Sequence, residues 1–251
     1  MNVNFILIGS LIVFTSFGLK AITGMGAALL CVPLLALIID IRQAVPIELI
    51  FELIFGAILF FRIYREIQVS LLILVVLSAL LGISVGTEIL LIASESLLRI
   101  ILSIVVFIFS LRIFITSNKE RIGTDRKTSY LLGAICGFAG GSIGGITGQQ
   151  GPPIALYLEN QISDKTKLRS TLIAVFFIND LFRLFLYISE GIMNKEIFFQ
   201  SLYFIPAIAA AVLVGNFFHF KIDETLIRRL IAIILIVSAL IISYPVVYAL
   251  F

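Results

Sequence analysis

Two short stretches place glycine and polar side chains inside long apolar runs: Thr23-Gly24-Met25-Gly26 and Thr147-Gly148-Gln149-Gln150-Gly151-Pro152. Glycine lets a backbone approach a ligand closely, and threonine hydroxyls and glutamine amides can donate hydrogen bonds. Where such a stretch opens a helix, unpaired N–H groups and the positive end of the helix dipole suit an anion. Pro152 or Pro153 fits the first turn of a helix, where the missing N–H costs nothing. The chemistry expected of these residues is noncovalent capture of a small anion.

Ionisable residues inside apolar segments extend the set. Glu48 and Glu52 lie four apart, hence on one helix face, and Asn179, Asp180 and Arg183 cluster on a later segment. Charges within a membrane are expensive and face the bundle interior or a cavity. Glu48, Glu52 and Asp180 are therefore candidates for carrying a proton, and Lys20 and Arg183 for facing the anion. The bland alternatives are an Asp180–Arg183 pair that only locks helices together and a Lys20 that reaches for the membrane interface. Gly133, Gly137, Gly141 and Gly145 recur every four residues, as do Gly140, Gly144 and Gly148. That pattern predicts close helix packing for the glycines before Gly145. Cys31 and Cys136 read as small buried hydrophobes, and His219 is the single histidine. No metal site, cofactor site or catalytic constellation is expected, so the chain is not read as an enzyme. No GxxxxGK[ST] phosphate loop occurs, which leaves coupling to an ion gradient or to nothing.

The elements that must hold these groups follow from composition. Of 251 residues, 61% are hydrophobic and 13% charged, with a mean hydropathy of +1.17. A soluble domain would run out of polar residues to cover its surface, whereas a bilayer requires an apolar one. The net charge of +3 comes with basic residues in short clusters, so no concentrated basic face exists for nucleic acid. The N-terminal residues lack a basic flank and a small-residue cleavage site, and residue 4 onward is expected to open the first membrane segment. Ordinary spans of about 20 apolar residues are predicted at 44–61, 69–93, 97–115, 168–188, 197–218 and 230–251. Helices alone satisfy their own backbone there.

Residues 4–39 and 128–158 behave differently, because each is interrupted by one of the glycine-containing stretches. Each reads as a hairpin of two helices of about 15 residues, which at 1.5 Å per residue reach only about 22 Å. Ala21-Ile22-Thr23-Gly24 matches Gly145-Ile146-Thr147-Gly148, and three ordinary spans follow each hairpin. The expected fold is an all-α integral membrane protein of two repeats, residues 1–120 and 128–251, joined by a basic cytoplasmic linker at 121–127. Threading with that linker inside, and each hairpin returning to its starting side, puts 13 of the 18 Lys and Arg in the cytoplasm. Each half then makes an odd number of crossings, so the repeats are inverted, each a re-entrant helical hairpin plus three transmembrane helices. Inverted repeats with broken helices are a recurring transporter design with substrate at the repeat interface.

At these residues the sequence resembles the sulfite exporter TauE/SafE family. The resemblance rests on Gly24-Met25-Gly26 with Pro33, on Thr147-Gly148-Gln149-Gln150-Gly151-Pro152-Pro153-Ile154 followed by Ala155-Leu156-Tyr157-Leu158, and on Lys167-Leu168-Arg169-Ser170-Thr171-Leu172. It implies a multi-pass protein of the cell inner membrane, in contact with lipid and possible as a homo-oligomer. The implied activity is secondary transport of sulfite, thiosulfate, sulfonates or related organic anions. Two other readings stay open: a permease for another small carboxylate or ion, and a non-transporting membrane scaffold.

Overall fold

The computed structural model describes residues 3–23, 27–63, 66–116, 129–218 and 224–248. Their secondary structure is helical: α1 (Val3–Thr23), α2 (Ala27–Leu35), α3 (Ile41–Ile63), α4 (Val69–Ile92), α5 (Glu95–Thr116), α6 (Tyr130–Thr147), α7 (Gly151–Gln161), α8 (Lys165–Ser189), α9 (Lys195–Leu202), α10 (Ile205–Phe218) and α11 (Glu224–Tyr248). Among the described residues, α3, α4, α5, α6 and α8 are each long and apolar enough to cross a membrane. Between their ends, the exposed side chains on these helices are chiefly apolar, as a lipid-facing surface requires. On α4, Ile73, Leu77 and Leu81 follow one another at four-residue spacing and are each more than half exposed.

Both hairpins form, but unevenly. Expected helices of about 15 residues are instead 21 and 9 residues in the first hairpin and 18 and 11 in the second. The leading helix is about 32 Å or about 27 Å long, near the thickness of the hydrocarbon core, while its partner is a half-helix of about 14–17 Å. The expected span at 197–218 is broken as well, into α9 and α10. Pro206 has no N–H to give the Leu202 carbonyl and stands in the first turn of α10, where the missing N–H costs nothing. The chain tightens there, with Tyr203 N–H donating to Gln200 O and Phe204 N–H to Ser201 O.

The described chain forms two compact units, one of residues 1–51, 93–119 and 194–251, the other of residues 52–92 and 120–193. In the first, α1 packs on α10, and α2 lies against α1, α5 and α11. Edge-on rings link its core: Phe5 and Phe51 both meet Phe204, and Phe51 meets Phe17. In the second, α6 packs along α4, while α7 bridges α6 and α8. Leu71, Val75 and Val76 of α4, Ile154, Tyr157 and Leu158 of α7, and Val175 of α8 form its apolar centre.

The glycines of α6 separate into two faces. Gly137, Gly141 and Gly145 meet α4 so closely that a Cβ would collide with Ser78, with the Ala79 backbone and with the Ile83 carbonyl respectively. That is the close helix packing their spacing predicts. Gly140 and Gly144 face the other way, towards Ile154 and Gln150.

Element boundaries repeat at a constant offset. α1 and α6 end at Thr23 and Thr147, α2 and α7 open at Ala27 and Gly151, and α3 and α8 open at Ile41 and Lys165, 124 residues apart each time. Asp40 and Asp164 stand at the same offset, and each carboxylate accepts a first-turn N–H, from Arg42 at 2.7 Å and Lys167 at 2.9 Å.

Candidate functional site

The second unit carries a site at the break between α6 and α7. Gly148 ends α6 in the left-handed region, at φ 78°, which glycine adopts without a Cβ penalty. Its N–H donates to Gly144 O at 2.8 Å, the chain passes through Gln149 and Gln150, and α7 opens at Gly151 with proline in its first turn. Such a break leaves helix-end groups without intrahelical partners, and lipid offers none.

α8 supplies them. Tyr187 Oη donates to Gly145 O at 2.6 Å, and Arg183 Nη1 donates to Gly144 O at 2.9 Å. A cation at this position also meets the negative end of the α6 dipole. Asp180, one turn before Arg183, holds its Oδ1 3.2 Å from Arg183 Nη2. Gln150 bridges back from the break: its Nε2 donates to Asp180 Oδ1 at 2.8 Å, and its Oε1 accepts Asn179 Nδ2 at 2.8 Å. Asn179, Asp180, Arg183 and Tyr187 share one face of α8 by their spacing and are all buried. Gln150 can reach them because Gly144 has no side chain; a Cβ there would lie 2.7 Å from Gln150 Cβ.

Gln149 stands apart from this network. Its side chain is 2% exposed, and neither its Nε2 nor its Oε1 has a hydrogen-bond partner among the described residues. An unpaired buried polar group costs roughly 1–3 kcal/mol, so this amide is open to a further hydrogen-bond partner. Thr147 is buried, and its Oγ1 donates to Ile143 O at 2.8 Å while accepting Gln149 N–H at 3.4 Å. Its proton goes to its own helix, as threonine in a last turn commonly arranges. What Thr147 presents to the break is an acceptor that steadies Gln149.

Of the residues singled out from the sequence, Thr147, Gly148, Gln149, Gln150, Gly151, Pro152, Asp180 and Arg183 belong to this one unit. Lys20 and Glu48 belong to the other. Lys20 is half-buried in the last turn of α1, its Nζ 5.5 Å from the centroid of the Phe17 ring. Glu48 is fully buried on α3, whereas Glu52, one turn on, is half-buried and falls in the second unit. Gly24, Met25 and Gly26, the side chain of Thr23, the linker at 121–127 and His219 lie outside the described residues. Tyr187 escaped the sequence reading. A phenol four residues after Arg183, hence on the same face, was the available signal.

A protein-family model described as Sulfite exporter TauE/SafE matches residues 8–242, nearly the whole chain. No curated protein and no solved structure matches it.

Proposed function

The chain belongs to the sulfite exporter TauE/SafE family of membrane transporters, and from that premise we propose that it carries a small sulfur-containing anion across the inner membrane as a secondary transporter, binding it at the α6–α7 break. The observation that carries the reading is that one helix break in a membrane segment holds both a buried guanidinium, bonded to the Gly144 carbonyl, and a buried glutamine amide with no partner among the described residues. Arginine presents a planar fork of donors that matches an oxyanion, and Gln149 Nε2 adds a neutral donor. Prolines at 152 and 153 remove two of the first N–H groups of α7, which shifts recognition from backbone to side chains.

The constant offset of 124 residues between element boundaries supports two related halves. So does their packing: the leading helix of the first hairpin pairs with α10 of the second half, and that of the second hairpin pairs with α4 of the first. An exchange of this kind, made in both directions, supports related repeats, and the mechanism we propose for them is alternating access by rocking of inverted halves.

Uptake and efflux by the purified protein in liposomes test the reading, with sulfite, thiosulfate, sulfoacetate, taurine and acetate as solutes. Sulfite or a sulfur-containing anion should move, and Arg183→Gln should abolish that movement. Transport of acetate with none of the sulfur compounds would replace this reading by that of a carboxylate permease.

A further inference from the structure

The guanidinium at the break already holds an anion, the carboxylate of its own helix. Asp180 Oδ1 lies 3.2 Å from Arg183 Nη2 and also accepts the Gln150 amide at 2.8 Å. Arg183 is 1% exposed and Asp180 4%. A second anion at Arg183 would put two negative charges within a few ångströms in a poorly screened setting. The carboxylate is the one of the two that a proton can neutralise. Arg183 itself need not leave, because Nη1 remains anchored on Gly144 O.

We propose that the substrate anion and Asp180 compete for Arg183, and that Asp180 takes up one proton each time the anion occupies the break. The proposal rests on the anion reading of the break given above. In the empty site Asp180 pairs with Arg183 and accepts the Gln150 amide, and the ion pair is neutral. In the loaded site the anion pairs with Arg183, a proton from water sits on Asp180, and the site is again neutral for a monovalent anion. Protonated Asp180 can still accept the Gln150 amide on Oδ1, so α8 stays linked to the break in both states. The device favours monoanions, such as sulfonates, because a dianion would leave one charge uncompensated.

Among the described residues, the other ionisable groups on the helices around α8 are few. α4 carries Glu88, which is exposed; α6 carries Tyr130 and Cys136; α7 carries Tyr157 and Glu159; and the second half of α3 carries Glu52. On α8 itself, Lys165, Lys167 and Arg169 are exposed at its start, and Tyr187 gives its proton to Gly145 O.

Titration calorimetry of the purified protein with methanesulfonate and thiosulfate tests the proposal, since neither anion titrates near neutrality. Repeating each titration in buffers of different ionisation heat counts the protons taken up. Wild type should take up close to one proton per methanesulfonate, with affinity falling about tenfold per unit of rising pH over the coupled range. Asp180→Asn should bind without uptake and without that slope, whereas Asp180→Glu should retain both. Binding without proton uptake in wild type, or unchanged uptake in Asp180→Asn, overturns the coupling and leaves the anion reading standing. Should Asp180→Asn fail to fold, the wild-type proton count decides alone. Binding of neither anion overturns the anion reading and this proposal with it.

Discussion

Gln149 is the residue at which stability and function pull apart. A buried amide with both ends unpaired lowers the stability of the empty protein, while the same amide is a donor for a bound anion. Gln149→Leu, which keeps the volume and removes the polar atoms, is therefore expected to raise thermal stability and to weaken anion binding. The binding loss should be about 10- to 150-fold, equivalent to one hydrogen bond to a charged group at roughly 1.5–3 kcal/mol. Melting curves and calorimetry on the same preparation check both halves. A variant that melts lower and binds as wild type would remove Gln149 from the site. The sequence pointed to this side chain through its neighbours, Thr147, Gly148 and Gly151, but could not separate it from Gln150. Gln150 is engaged at both ends, with Asp180 and Asn179, and Gln149 at neither. Adjacent glutamines at a break meet different surroundings, and only the folded chain assigns each its own.

At the scale of elements, α6 does two jobs with two glycine faces. The face made of Gly137, Gly141 and Gly145 brings α4 into backbone contact, and the face made of Gly140 and Gly144 admits Ile154 and Gln150. A Cβ at Gly141 would collide with the Ala79 backbone, which cannot swing aside as a side chain can. Gly141→Ala should therefore cost about 1–3 kcal/mol or more of stability while leaving relative affinities among anions unchanged. Gly144→Ala presses on Gln150 instead and should cost about tenfold or more in affinity. Equal effects of the two variants on affinity would mean that the faces are not functionally distinct. Four-residue spacing made both faces visible in the sequence. Which face met a neighbouring helix and which met the break was not legible, because spacing defines a stripe without saying what lies against it. The break of the span at 197–218 was legible in Pro206, which stands in the interior of that span and has no N–H for the carbonyl one turn back.

At the scale of the whole molecule, the constant offset allows inversion to be tested at equivalent positions. Gln43 and Lys167 stand 124 residues apart, both exposed in the first turns of α3 and α8. The distribution of Lys and Arg predicts the first outside and the second in the cytoplasm. In a background with Cys31 and Cys136 replaced, Gln43→Cys should react with an impermeant thiol reagent in intact cells. Lys167→Cys should react only after permeabilisation. External labelling at both positions would show that the halves are parallel and would end the inverted-repeat reading.

The sequence by itself determined that this chain is a helical membrane protein, that two of its segments are broken hairpins, and that it resembles the family to which it belongs. Those properties are local or compositional. Apolar length sets a span, glycine and proline set a break, and a motif is a run of neighbours. Tertiary structure decided what lies across the α6–α7 break. It brought Arg183 and Tyr187 onto the Gly144 and Gly145 carbonyls, about 40 residues away in sequence. It joined Asp180 to Gln150, left Gln149 unpaired, and distributed Glu48 and Glu52, one helical turn apart, between two units. The physical reason is that a helix break in lipid must find its missing hydrogen-bond partners on another helix. Which helix provides them depends on packing that no local pattern encodes.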